Sequence, residues 1–152
     1  MSLTSDVKIA GRFLRSVRID TDLDDENSLD GFICPQSSAD VLMSMARHIE
    51  STGQGAFTWT GPYGSGKSSL VIALAALVSG NLKLRKKAST LFGSKLTKAM
   101  HRAMPCGDNG WKILPVVARR DDPVLVIGGA AEQAGLCKKP KQGWTETRTN
   151  EK

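Results

Sequence analysis

The chain has 152 residues, and its 40% hydrophobic and 24% charged content is typical of a soluble globular protein with one domain. Its formal net charge of +6 is compatible with a polyphosphate or nucleic-acid partner. The three cysteines, Cys34, Cys106 and Cys137, lie far apart without C-x-x-C spacing, which argues against a disulfide framework or a zinc site and favours a reducing, cytoplasmic compartment.

The N-terminal part of the chain changes from basic to acidic. Residues 13–19 alternate in part and predict a short strand, whereas residues 20–36 are acidic and predict a loop. A helix with Ser37 or Ser38 as N-cap is expected next and ends at residues 51–55, which include two glycines. Apolar residues at helical spacing give this helix one buried face: Val41, Leu42, Met45 and Ile49.

Two elements predicted to be buried flank a glycine-rich segment. Residues 56–60 are aromatic and β-branched, which predicts a strand. Residues 69–78 are almost entirely apolar, so we expect a helix that packs on all sides and ends at Gly80. An apolar run of this length is too short to span a bilayer, and no secretory signal is visible, so we expect no membrane partner.

The second half of the chain predicts two further helices and one strand. Residues 82–104 predict one or two amphipathic helices with a break at Gly93, and residues 105–110 form a turn cluster. Residues 111–118 predict a second strand with an internal proline, which is typical of a sheet edge. Asp122 before Pro123 then predicts a helix N-terminus, although residues 124–127 also fit a third strand.

Basic residues are concentrated in residues 83–87, 95–102, 119–120 and 138–141. They predict either a nucleic-acid-binding face or a solvated helix face with a basic tail. No aromatic residues are interleaved with them, which favours the solvated face. We expect three parts: residues 1–36 as an N-terminal extension, residues 37–136 as a nucleotide-binding domain, and residues 137–152 as a disordered basic tail.

Residues 61–68 match the spacing G-x-x-x-x-G-K-[ST] at every fixed position. Glycines permit tight turns, so that successive backbone N–H groups can form a nest for an anion at the start of a helix. Lys67 is expected to reach the β- and γ-phosphates, and Ser68 to bind Mg²⁺. The predicted nucleotide-binding residues are Gly61, Pro62, Tyr63, Gly64, Ser65, Gly66, Lys67, Ser68 and Ser69.

With this loop the sequence resembles the P-loop nucleoside triphosphatases. Residues 61–68 match the Walker A motif of that family. The helix, strand and loop over residues 38–80 look like the first segment of AAA+ and STAND-type ATPases of bacteria. The resemblance implies an α/β fold with a parallel sheet and flanking helices. The sheet is expected to be incomplete, because no apolar run ends in the acidic residue that would bind Mg²⁺ and activate water in these enzymes.

The expected function is therefore binding of Mg²⁺ and ATP, as the N-terminal piece of an ATPase. The absence of a guanine-reading N-K-x-D string favours ATP. A switch or scaffold module that binds nucleotide without turnover, and a small kinase, remain alternatives. Oligomerisation, or a place in a longer chain, is also open. Asp121, Asp122 and Glu132 are the remaining candidates for a catalytic acid, and Arg119 and Arg120 for an arginine finger, but no pattern assigns them.

Overall fold

The computed structural model describes residues 16–117 and 120–138. Over these residues the chain forms five helices: α1 (Ile19–Asp22), α2 (Gln36–Thr52), α3 (Lys67–Val78), α4 (Leu82–Ala103) and α5 (Pro123–Gln133). The chain divides into two compact units, Met1–Trp111 and Lys112–Lys152. The first unit contains α1 to α4, and the second contains α5. The predicted boundaries near residues 36 and 137 stay predictions.

The first unit is held together by the burial of α3. Its side chains are apolar around the whole circumference, as the sequence predicts, and α1 and α4 pack against it, while α4 also packs on α2. The buried residues of α3 are Leu70, Ile72, Ala73, Ala75, Ala76, Leu77 and Val78. Leu42 and Ala46 of α2 and Leu84, Ala88 and Met100 of α4 belong to one core cluster with Leu70, Ile72 and Leu77 of α3.

The predicted helices are confirmed, with changes at their ends. The N-cap of α2 is Pro35, without a side-chain hydrogen bond, so the prediction of Ser37 or Ser38 is wrong. Gly53 ends α2 in the left-handed conformation. Helix α4 breaks at Gly93, where φ is 74° and ψ is 164°, as its sequence predicts. Asn81 caps the first turn of α4 by accepting hydrogen bonds from Lys83 N and Leu84 N.

The helix prediction for the second unit is also confirmed. Asp122 Oδ1 accepts a hydrogen bond from Val124 N at 2.7 Å, which caps α5 at the predicted residue. At the other end, Leu136 N donates to Ala131 O and Gly135 N donates to Glu132 O, each at 2.9 Å. Gly135 has a φ of 66°, and the two bonds form a Schellman motif. The rival third strand over residues 124–127 is therefore wrong.

The predicted α/β fold with a parallel sheet is wrong. No strand forms within residues 16–117 and 120–138, which are helical or irregular. Strand patterns report side-chain packing more than backbone preference, and a strand exists only when a neighbour takes its backbone hydrogen bonds. Residues 56–60 instead lie against α2, where Trp59 Nε1 donates to Met45 Sδ at 3.2 Å and Phe57 meets His48 edge to face at 5.7 Å.

The other two strand predictions are also wrong. Trp111 N donates to Val78 O at 2.7 Å, so residue 111 caps α3, and residues 112–117 follow without regular structure. Ile19 begins α1, and residues 16–18 precede it as an irregular segment. The rest of the predicted strand over residues 13–19, residue 118, Arg119 and residues 139–152 of the predicted tail lie outside the described residues.

Within the described part of the chain, no helix combines the length and apolar character needed to cross a membrane.

An ATPase of the AAA kind needs a sheet core. Since the described residues form no sheet, the prediction that the chain has the fold of a P-loop or AAA ATPase is wrong.

The turn before Trp111 depends on close backbone approach. Gly110 has a φ of 66°, and a Cβ there would overlap the backbone of Ser79 and Gly80, directly after α3. Arg85 links the same turn to the end of α3, because its Nε donates to Ser79 O at 2.9 Å and its Nη2 donates to Gly107 O at 3.0 Å. The turn therefore needs a residue without a side chain at position 110.

Gly110→Ala is expected to destabilise the protein by about 2–4 kcal/mol, because it combines a left-handed φ with a backbone overlap. Urea unfolding followed by circular dichroism measures the change. Gly107→Ala is the matched control, since a Cβ at Gly107 meets nothing within 4 Å and its φ is not positive. Equal stability of the two variants would contradict the close approach.

Candidate functional site

The glycine-rich loop, residues 61–68, joins residues 56–60 to the buried helix α3. Gly64 and Gly66 have φ values of 78° and 79°, which residues with a Cβ rarely adopt. Gly66 is the N-cap of α3, and Leu70 N donates to Gly66 O at 2.9 Å. A residue without a Cβ is therefore favoured at Gly64 and Gly66, whereas the third predicted glycine, Gly61, does not have a positive φ.

The first turn of α3 has the polarity that suits an anion. No side chain caps it, and it contains no acidic residue. The first backbone N–H groups of a helix have no partner within the helix, and the helix dipole makes this end positive. The start of α3 therefore offers unused donors beside the loop, as the sequence predicts for a phosphate site.

Lys67 turns back over the loop. Its Nζ atom donates to Gly61 O at 2.9 Å, to Pro62 O at 2.8 Å and to Ser65 Oγ at 3.2 Å. All of these acceptors belong to the loop, and none is a carboxylate. The structure thus places a full positive charge within the loop, at the start of α3.

The other predicted site residues differ in exposure. Residues 61–66 are exposed, Ser68 and Ser69 are half-buried, and Leu70 in the first turns of α3 is buried. Tyr63 is 95% exposed at the crest of the loop, and its hydroxyl lies 3.4 Å from Ser16 Oγ. Ser16 was missed by the sequence reasoning, because no local signal links residues so far apart in the chain.

A metal ion has few protein ligands near this loop. No group of three or more His, Cys, Asp or Glu residues with the arrangement of a metal site occurs among the described residues. His48 contacts Phe57 edge to face, and His101 Nε2 lies 3.2 Å from Leu77 O. The Ser68 hydroxyl is the group predicted for Mg²⁺, and the remaining ligands would be phosphate oxygens and water.

Part of the basic charge of α4 is paired within its own unit. Lys83 pairs with Glu26 at 3.2 Å, Lys87 pairs with Asp30, and Arg102 pairs with Glu50 at 3.1 Å. Arg85 donates to Ser79 O, just after α3, and to Gly107 O. Four of the seven lysine and arginine residues of α4 are thus paired or bonded within the protein, which favours a solvated face for that part of the helix.

No family model, curated protein or solved structure matches this chain. The resemblance to P-loop nucleoside triphosphatases therefore stays a prediction from residues 61–68.

Proposed function

We propose that residues 61–69 bind the phosphate chain of a nucleoside triphosphate, with Mg²⁺ and ATP as the ligand. The observation that carries this proposal is the position of Lys67. Its ammonium group lies on the loop carbonyls at the uncapped start of α3. A cation and a row of unused N–H groups in one place favour a compact anion of high charge, such as a triphosphate.

Each part of the loop has a separate task in this proposal. The N–H groups at the start of α3 would donate to phosphate oxygens, and Lys67 would neutralise charge on the outer phosphates. Ser68 would supply the protein's ligand to Mg²⁺, which shields the remaining phosphate charge when bound. Gly64 and Gly66, which have positive φ values and no Cβ, would leave the backbone N–H groups of the loop accessible to the ligand.

The proposal is binding, and rapid turnover is not part of it. Hydrolysis of a phosphoanhydride also needs a group that positions water. The candidates left by the sequence are Asp121, Asp122 and Glu132, which belong to the second unit. Asp122 already accepts hydrogen bonds as the cap of α5, so this carboxylate stabilises a helix. The proposed compartment is the cytoplasm, because Cys34, Cys106 and Cys137 are free thiols.

Lys67→Ala is expected to lower the affinity for Mg²⁺ and ATP tenfold or more, since a charge-assisted contact contributes about 1.5–3 kcal/mol. Isothermal titration calorimetry measures the affinity. Lys95→Ala is the control, because it removes one positive charge from an exposed position of α4 that lies outside the loop. Unchanged affinity in Lys67→Ala, or equal losses in the two variants, would overturn the site.

Ser68→Ala is expected to weaken binding of ATP in Mg²⁺ more than binding in EDTA, because the lost hydroxyl is the proposed metal ligand. The test is the ratio of the two dissociation constants, measured for the wild type and for the variant. Ser51→Ala is the control, since Ser51 is exposed and its hydroxyl bonds only to His48 O in α2. An equal loss with and without the metal ion would remove Ser68 from the metal role.

A further inference from the structure

The hydrogen bonds of Lys67 have a consequence for ligand affinity. An ammonium group has three N–H donors, and Lys67 has three acceptors on its own loop. A phosphate that binds Lys67 must therefore replace at least one of these bonds. Two of the acceptors are backbone carbonyls, whereas the third is the side-chain hydroxyl of Ser65.

The Ser65 hydroxyl is closely packed for an exposed residue. A Cβ added to Gly61 would lie 3.3 Å from Ser65 Oγ and 3.9 Å from Lys67 Cδ. The hydroxyl and the lysine stem therefore lie together over Gly61. The Ser65 backbone N donates to Pro62 O at 3.4 Å, which closes a turn within the loop. Gly61, Ser65 and Lys67 thus form one contact group, which we name the lysine latch.

We propose that the Ser65 hydroxyl lowers the affinity of the loop for phosphate by holding Lys67 in the latch. This inference rests on the proposed function. The Ser65 hydroxyl competes with the ligand for the lysine, whereas the Ser65 N–H is bonded to Pro62 O within the loop. Ser65 is in this sense a positioning residue, which acts on the ligand through Lys67.

The latch also indicates which part of a nucleotide matters. The competition concerns only Lys67 and an anionic oxygen, so the effect of Ser65 should be the same for the bare phosphate chain as for the nucleotide. Inorganic triphosphate is therefore the direct probe of the latch, with ATP as the comparison. A larger effect on ATP than on triphosphate would place the hydroxyl near the nucleoside instead.

The test is calorimetric titration of inorganic triphosphate and ATP into the full chain and its Ser65→Ala variant. Loss of one neutral acceptor for an ammonium is expected to tighten binding of both ligands about two- to tenfold. Thr58→Ala is the matched control, since it removes an exposed hydroxyl just before the loop. We expect it to leave both affinities unchanged.

A double-mutant cycle distinguishes the latch from a general loosening of the loop. The gain from Ser65→Ala should vanish in a Lys67→Ala background, because no ammonium is left to release. Weaker binding in Ser65→Ala than in the wild type would overturn the inference and make the hydroxyl a direct ligand of phosphate. A gain that persists without Lys67 would overturn it as well.

Failure of the latch and failure of the site give different results. If the wild type binds triphosphate and Ser65→Ala does not bind it more tightly, only the latch is refuted. If neither the wild type nor any variant binds triphosphate or ATP, the proposed function is refuted, and the latch with it.

Discussion

The burial of α3 is the constraint on which the rest of the first unit depends. A helix that is apolar on every side cannot face water, so other elements must cover its whole circumference. In this chain α1 and α4 pack against it, and α4 connects it to α2. The amphipathic patterns of α2 and α4 are the counterpart of this need, since each supplies one apolar face to the common core. Without α3 these faces would have nothing central to cover.

Both ends of α3 follow from its burial. At the C-terminal end, Trp111 N donates a hydrogen bond to Val78 O, and Arg85 Nε donates to Ser79 O just beyond the helix. These donors satisfy groups that a buried helix would otherwise leave unpaired. At the N-terminal end no side chain acts as a cap, and the glycine-rich loop lies in that place. A buried helix with one capped and one uncapped end therefore places Lys67 and its neighbouring N–H groups together at the uncapped end.

The sequence predicts the helices well and the sheet badly, for one physical reason. Helix signals are local, and the cap at Asp122, the left-handed Gly53 and the break at Gly93 each depend on neighbours in the chain. A sheet depends on distant partners, and aromatic residues such as Trp59 pack equally well on a helix, as Trp59 does on Met45. In the loop, Gly64 and Gly66 have the positive φ values that favour glycine, whereas the role of Lys67 in binding phosphate stays a prediction. The contact between Ser16 and Tyr63, and the bond between Lys67 and Ser65, depend on the folded loop and have no sequence signal.

The central claim is that the loop at the start of α3 is the phosphate site. Backbone amide NMR during titration with Mg²⁺ and ATP tests it most directly, because it locates the ligand without a mutation. The account predicts the largest shifts at the amides of Gly64, Gly66, Lys67 and Ser68, with little change in the basic half of α4 around Lys95. Shifts centred on α4, or none at saturating ligand, would contradict it.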